Sequence, residues 1–145
     1  MANRFEGSIE WLIDDEDLWR QVPLGCMTGS EPNSSAFNPS QKHKFFLSTG
    51  REWLTAKGAY DQYTRKRPNG TVLSSEGTWA IRVSLCRGYQ LYPFDDSRLA
   101  DLDPGHVSIP FGTDEVPETK GSRKTKAQAL RSYAVNRGCV YRRPG

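Results

Sequence analysis

Residues 34–64 read SSAFNPSQKHKFFLSTGREWLTAKGAYDQYT, a loop, an apolar strand and an amphipathic helix in succession. Asn38-Pro39-Ser40 has turn chemistry, Phe45-Phe46-Leu47 is a short apolar run of strand type, and Gly50 interrupts it. Thr55 is placed to cap a helix. Beyond it Ala56, Ala59, Tyr60 and Tyr63 recur at i, i+3, i+4 and i+7, which is one face of a helix over 55–64. Ser48, Thr49 and Arg51 fall at the strand-to-helix turn, where mixed α and β folds often place ligand contacts.

On the N-terminal side, Trp11-Leu12-Ile13 has strand character and leads directly into the acidic run Asp14-Asp15-Glu16-Asp17. Acids ahead of an apolar segment suit the positive end of a helix dipole, so a short helix to about Arg20 is expected, with Leu18, Trp19 and Val22 inward and Pro23 as its stop. Residues 24–43 form a long loop anchored by Met27 and Phe37. On the C-terminal side, Arg65 to Gly70 is a basic turn. Gly77 to Leu85 alternates Trp79, Ile81, Val83 and Leu85 against Thr78, Ala80, Arg82 and Ser84, which predicts a central strand. Tyr89 to Tyr92 reads as its partner, and Val107, Ile109 and Phe111 as another strand that Pro110 confines to an edge or an end. Ser122 is placed to cap a helix over 122–137 that Gly138 terminates, with Ala127, Leu130 and Ala134 on its inner face, Arg131 projecting elsewhere and Arg123, Lys124 and Lys126 in water. Cys139 to Tyr141 reads as a last strand. The expected architecture is one α+β domain over 1–145, with a mainly antiparallel sheet of about four to six strands, two principal helices and long loops.

Composition narrows the classes. The chain has 145 residues, 36% of them hydrophobic, enough for one core, and no apolar run approaches a membrane span. Residues Met1 to Glu6 carry no apolar signal region, so the expectation is a cytoplasmic protein whose Cys26, Cys86 and Cys139 are free thiols. Their odd number and the lack of any C-x-x-C pair support neither a disulfide framework nor a metal site, and no cofactor motif is present. The net charge of +3 is uneven: residues 119–145 hold eight basic groups and no acid.

The sequence offers three candidate sites. Arg20, Ser48 and Thr49, with Glu76 as the acid, resemble the Arg, Ser-Thr, Glu layout of ADP-ribosyltransferase-like folds. The resemblance implies that Arg20 grips a pyrophosphate, Ser48-Thr49 shapes a nicotinamide pocket and Glu76 holds a ribose. His106-Val107-Ser108 resembles one of the two H-x-Ser elements of two-histidine phosphoesterases, while His43-Lys44-Phe45 lacks the hydroxyl of the other. The third candidate is a basic surface for nucleic acid or a protein partner, made of Arg123, Lys124, Lys126, Arg131, Arg137, Arg142 and Arg143 with Tyr133 and Tyr141 as stacking faces.

Taken together, Arg20-Gln21-Val22-Pro23, Ser35 to Pro39, Leu47-Ser48, Gly77 to Ala80, Pro104 to Ile109 and the basic helix ending Arg137-Gly138-Cys139 are similar to a class of short uncharacterised bacterial proteins. That resemblance implies a small soluble bacterial protein associated with mobile-element or defence genes. The sequence thus favours a binding or regulatory module that meets a protein or nucleic-acid partner through its basic C-terminal region. The alternative is a nucleotide-using enzyme with a site around Arg20 and Ser48-Thr49.

Overall fold

The computed structural model of the chain describes residues 10–41, 44–99, 102–112 and 117–145. In chain order the strands are β1 Glu10–Trp11, β2 Asp17–Pro23, β3 Met27–Thr28, β4 Glu31–Pro32, β5 Phe46–Gly50, β6 Ser75–Arg82, β7 Phe94–Asp95, β8 His106–Pro110 and β9 Tyr141–Arg142. The helices are α1 Ala56–Thr64, α2 Val83–Gly88 and α3 Lys120–Arg137. Seven strands form one sheet in the order β1-β7-β8-β5-β2-β6-β9, every pair antiparallel, while β3 and β4 form a separate hairpin. The α+β class with two principal helices is as the sequence indicates. The sheet exceeds the expected four to six strands because residues 17–23 add a strand where a helix was expected and because the two-residue β7 is too short to leave a pattern.

The central pair is β2 with β6, in register from Asp17 opposite Arg82 to Gln21 opposite Thr78. Residues 17–23 are therefore a strand, where the acidic run suggested a helix. Leu18 and Val22 are fully buried with Trp79 and Ile81 on one face, while Trp19 packs with Ala80 on the other. Covered on both faces, the strand reads as a continuous apolar run, which periodicity does not separate from a helix. The acids do not serve a helix dipole either. Glu16 holds Arg51, and Asp17 holds Arg82 and Arg137.

β6 also ends earlier than its alternation implies. At Val83 the chain becomes α2, because the Val83 and Ser84 amides donate to the carbonyls of Glu16 and Asp14 and Val83 and Cys86 then point inward at i and i+3. Residues 89–92 form no strand. Gln90 takes a positive φ of 60° and the Leu91 amide closes back on the Cys86 carbonyl, so the helix ends in a tight turn. Cys86 accordingly sits in a helix, where burial pushes its thiol up to about 12, and Cys139 lies just before β9. β8 is interior to the sheet, with Pro110 at its end.

The large core lies on one face, where Leu47, Trp79, Ile81, Val107 and Ile109 meet α3 through Ala127, Leu130 and Ala134, and meet the 3-10 turn Ser34–Phe37 through Ala36 and Phe37. The Thr119 hydroxyl caps α3 by accepting from the Ser122 amide, three residues before the expected cap, and Gly138 ends it with φ 90°. On the opposite face α1 packs mainly on β2, β6 and β9, with Ala56 and Ala59 against Trp19 and Ala80. Its cap is Thr55, whose hydroxyl accepts from the Gly58 amide, as the sequence indicates. Among the described residues no helix is long and apolar enough to cross a membrane.

Candidate functional site

β2 and β5 share one registered pair, Trp19 with Gly50, and part beyond it. The opening is bridged by a side chain. Arg20 donates from Nε to the Ala36 carbonyl at 2.8 Å and from Nη1 to the Ser48 carbonyl at 2.9 Å, giving that strand carbonyl the partner β2 no longer supplies. A crevice of about 60 Å³ results, lined by Arg20, Ser48, Thr49, Tyr63, Asp103 and His106 among others. Roughly four to six waters fit, since one needs about 10–15 Å³ by this measure.

The charge of Arg20 is unusual. No carboxylate among the described residues pairs with it, and its removal from water pulls the guanidinium down to about 10. It remains a cation at neutral pH. Two of the five donors of a guanidinium serve carbonyls here, which leaves three for something else.

His106 is held from behind. Its Nδ1 lies 2.6 Å from Oδ1 of Asp96, which is only 4% exposed, and the other Asp96 oxygen accepts from the Ser108 hydroxyl at 2.5 Å. An ionised carboxylate in that position fixes Nδ1 as the ring donor and leaves Nε2 for proton exchange. Ser48 is exposed and stands opposite Ser108 on the His106 face of the sheet, one cross-strand diagonal from His106. Such diagonal Cβ atoms are about 7 Å apart, which leaves room for one bound group between hydroxyl and imidazole.

The Asp103 edge of the crevice is tied down by ion pairs. Asp103 pairs with Arg65 at 2.7 Å and with Arg67 at 3.7 Å, and the hydrogen bond from Arg65 holds its carboxyl below the usual range. Gln62 donates to the Pro104 carbonyl, so α1 and the 103–104 segment are joined across the mouth.

Of the residues singled out by sequence, Arg20, Ser48, Thr49 and His106 all reach this crevice. The Thr49 hydroxyl, however, is buried and engaged to the Val107 carbonyl at 3.1 Å. Glu76 lies elsewhere, near Arg143 at 3.9 Å, because β6 sits on the far side of β2 from the opening. His43 lies outside the described residues. Sequence reasoning missed Asp96 and Asp103, whose role depends on a loop closing back on His106, and Gln62 and Tyr63, which read only as helix positions. Among the described residues no group of three metal-ligating side chains occurs.

The basic C-terminal residues are mostly engaged. Arg137 grips Asp17 through two nitrogens at 2.6 and 2.7 Å, Lys126 pairs with Glu118 at 2.7 Å, and Arg131 binds Glu31 and the Pro32 carbonyl. Arg123 stacks 4.0 Å over the Phe45 ring and donates to the Glu118 carbonyl. The expectation that Arg123 and Lys126 stand in water is corrected, since acids and a ring from distant segments fold onto them. Lys124 and Arg142 are exposed, as is Lys120.

No protein-family model, curated protein or solved structure matches the chain.

Proposed function

We propose that the protein binds a small anionic substrate, a phosphate-bearing one, in the crevice between β2 and β5 and performs acid–base chemistry on it. The observation that carries this reading is Arg20, a half-buried cation in the crevice that donates to the Ala36 and Ser48 carbonyls and has no carboxylate among the described residues to answer it. A buried charge is costly unless paired, and a bound anion is the partner this one lacks. His106, oriented by Asp96, takes or gives the proton at the bound group, and the Ser48 hydroxyl supplies a hydrogen bond to it. The reaction class is hydrolysis or group transfer.

The other readings have less support. A dinucleotide needs a pocket of roughly 300–1,000 Å³, and Glu76 lies away from the crevice. A protein or nucleic-acid partner at the C-terminal region rests on Lys120, Lys124 and Arg142, fewer cations than the roughly six to ten phosphate contacts of strongly salt-dependent binding.

The test is calorimetric titration of wild type and Arg20→Met with inorganic phosphate, then turnover of a panel of phosphate monoesters by wild type and His106→Gln. Phosphate should bind wild type and not Arg20→Met, and His106→Gln should lower kcat by about 100-fold or more while phosphate still binds. Phosphate affinity equal in wild type and Arg20→Met sinks the proposal.

A further inference from the structure

The crevice has room for a phosphate group and not for the molecule that carries it, so the remainder of the substrate must lie outside the opening. Trp53 does not line the crevice but lies next to two residues that do, Leu54 in sequence and His106 through Gly105. It is 61% exposed and has no aromatic partner among the described residues. Its position is nevertheless fixed. The 3-10 turn Glu52–Leu54 that carries it is tied down at its start, by the Trp19 Nε1–H donating to the Glu52 carbonyl, the Asp17 amide donating to Glu52 Oε1, the Glu52 amide donating to Glu16 Oε2 and the Arg51 amide donating to the Gly105 carbonyl. The ring edge rests on Gly105, where a Cβ would fall 2.9 Å from Trp53 Cζ2. Gly105 directly precedes His106. Just past the turn, Thr55 has φ 65° and ψ 160°, a conformation a β-branched side chain adopts only under constraint. A large flat side chain is thus held out in water beside the acid–base histidine.

We infer that the substrate carries a flat ring system that stacks on Trp53 while its phosphate sits on Arg20, which makes it a nucleoside or aryl phosphate. The inference rests on the proposed anion site. Stacking on tryptophan accepts any flat π-face, so ring shape rather than ring hydrogen bonding sets the preference.

The experiment is calorimetric titration of inorganic phosphate, ribose 5-phosphate, adenosine 5′-monophosphate and phenyl phosphate into wild type, Trp53→Ala and Arg20→Met, with tryptophan fluorescence read in parallel. The adenosine phosphate should bind wild type on the order of 10-fold more tightly than ribose 5-phosphate and quench fluorescence. Trp53→Ala should lose that advantage and the quench while keeping wild-type affinity for inorganic phosphate. An equal gain for phenyl phosphate assigns the preference to any aryl group, and a gain for the adenosine phosphate alone assigns it to a nucleoside. If phosphate binds through Arg20 but a ring adds nothing, or Trp53→Ala changes nothing, the ring inference is wrong and the anion site stands. If wild type binds none of the four, both are wrong.

Discussion

The two faces of the sheet are built for different purposes. On the α3 face, Trp79, Leu47, Ile81, Val107 and Ile109 are all but fully buried beneath a helix of 18 residues, and most cations of that helix have found a partner. On the α1 face, a helix of nine residues covers β2, β6 and β9 with Ala56 and Ala59, and leaves the β5–β8 side to Ser48, His106 and the crevice. Stability is concentrated where large apolar side chains meet. Chemistry is exposed where the covering helix is too short to reach, and Arg20, rooted on the α3 side between Leu18 and Val22, extends its guanidinium to the Ser48 carbonyl at that opening with no carboxylate among the described residues to pair it.

The sharpest test of this division is Trp79→Ala. Removing the largest buried side chain of the α3 face should cost about 3–5 kcal/mol in chemical denaturation, and a near-unchanged midpoint would show that the heavy packing lies elsewhere. Next comes Asp17→Asn, expected to cost about 1–3 kcal/mol because the hydrogen bonds to Arg137 and Arg82 weaken. The same variant has a pH signature. The hydrogen bond from Arg137 depresses the folded-state carboxyl below its ordinary value of 3.8, so this stabilisation is present above that pH and is lost as pH falls through the depressed value. Asp17→Asn should therefore flatten the acid limb of stability against pH, which equilibrium unfolding below about pH 4 would read.

At the crevice the expected cost is smaller. Arg20→Met gives up two hydrogen bonds to carbonyls but relieves a buried unpaired charge, so stability should change by about 1 kcal/mol or less while the rise in Tm produced by phosphate disappears. A loss as large as that of Trp79→Ala would make Arg20 a structural bridge first. Smallest of all is Lys124→Gln, expected to stay within about 0.5 kcal/mol because the side chain is exposed. A larger change would show that the C-terminal cations stabilise the fold collectively.

How much of this was legible depended on whether the signal was local. The cap at Thr55, the helix face of Ala56, Ala59 and Tyr60, the alternation through Trp79 and Ile81, and the inner face Ala127, Leu130 and Ala134 are all set by residues within one element, and each was readable. β2 was not, since burial on both faces erases the period-2 pattern and the acids before it imitate a helix start. The site was half legible. Arg20, Ser48 and His106 are reactive types at element ends, whereas Asp96 acquires its role only when the loop ahead of β8 returns it to His106, and Glu76 was misplaced because spacing along the chain says nothing about strand order.

That strand order has a consequence for synthesis. Asp17 lies opposite Arg82, 65 positions later, and β1 pairs with β7 across a still longer interval, from Trp11 to Phe94. While the chain emerges from the ribosome, the segment that will become β2 has only its single pair with β5, Trp19 with Gly50, until β6 has been made, and its acidic start favours a helix. Contacts this distant in sequence slow folding, and a local preference that opposes the final structure adds to the delay. The nascent protein is therefore expected to hold residues 14–22 in a transient, non-native turn of helix, which converts to strand only when the Trp79 segment arrives as its template.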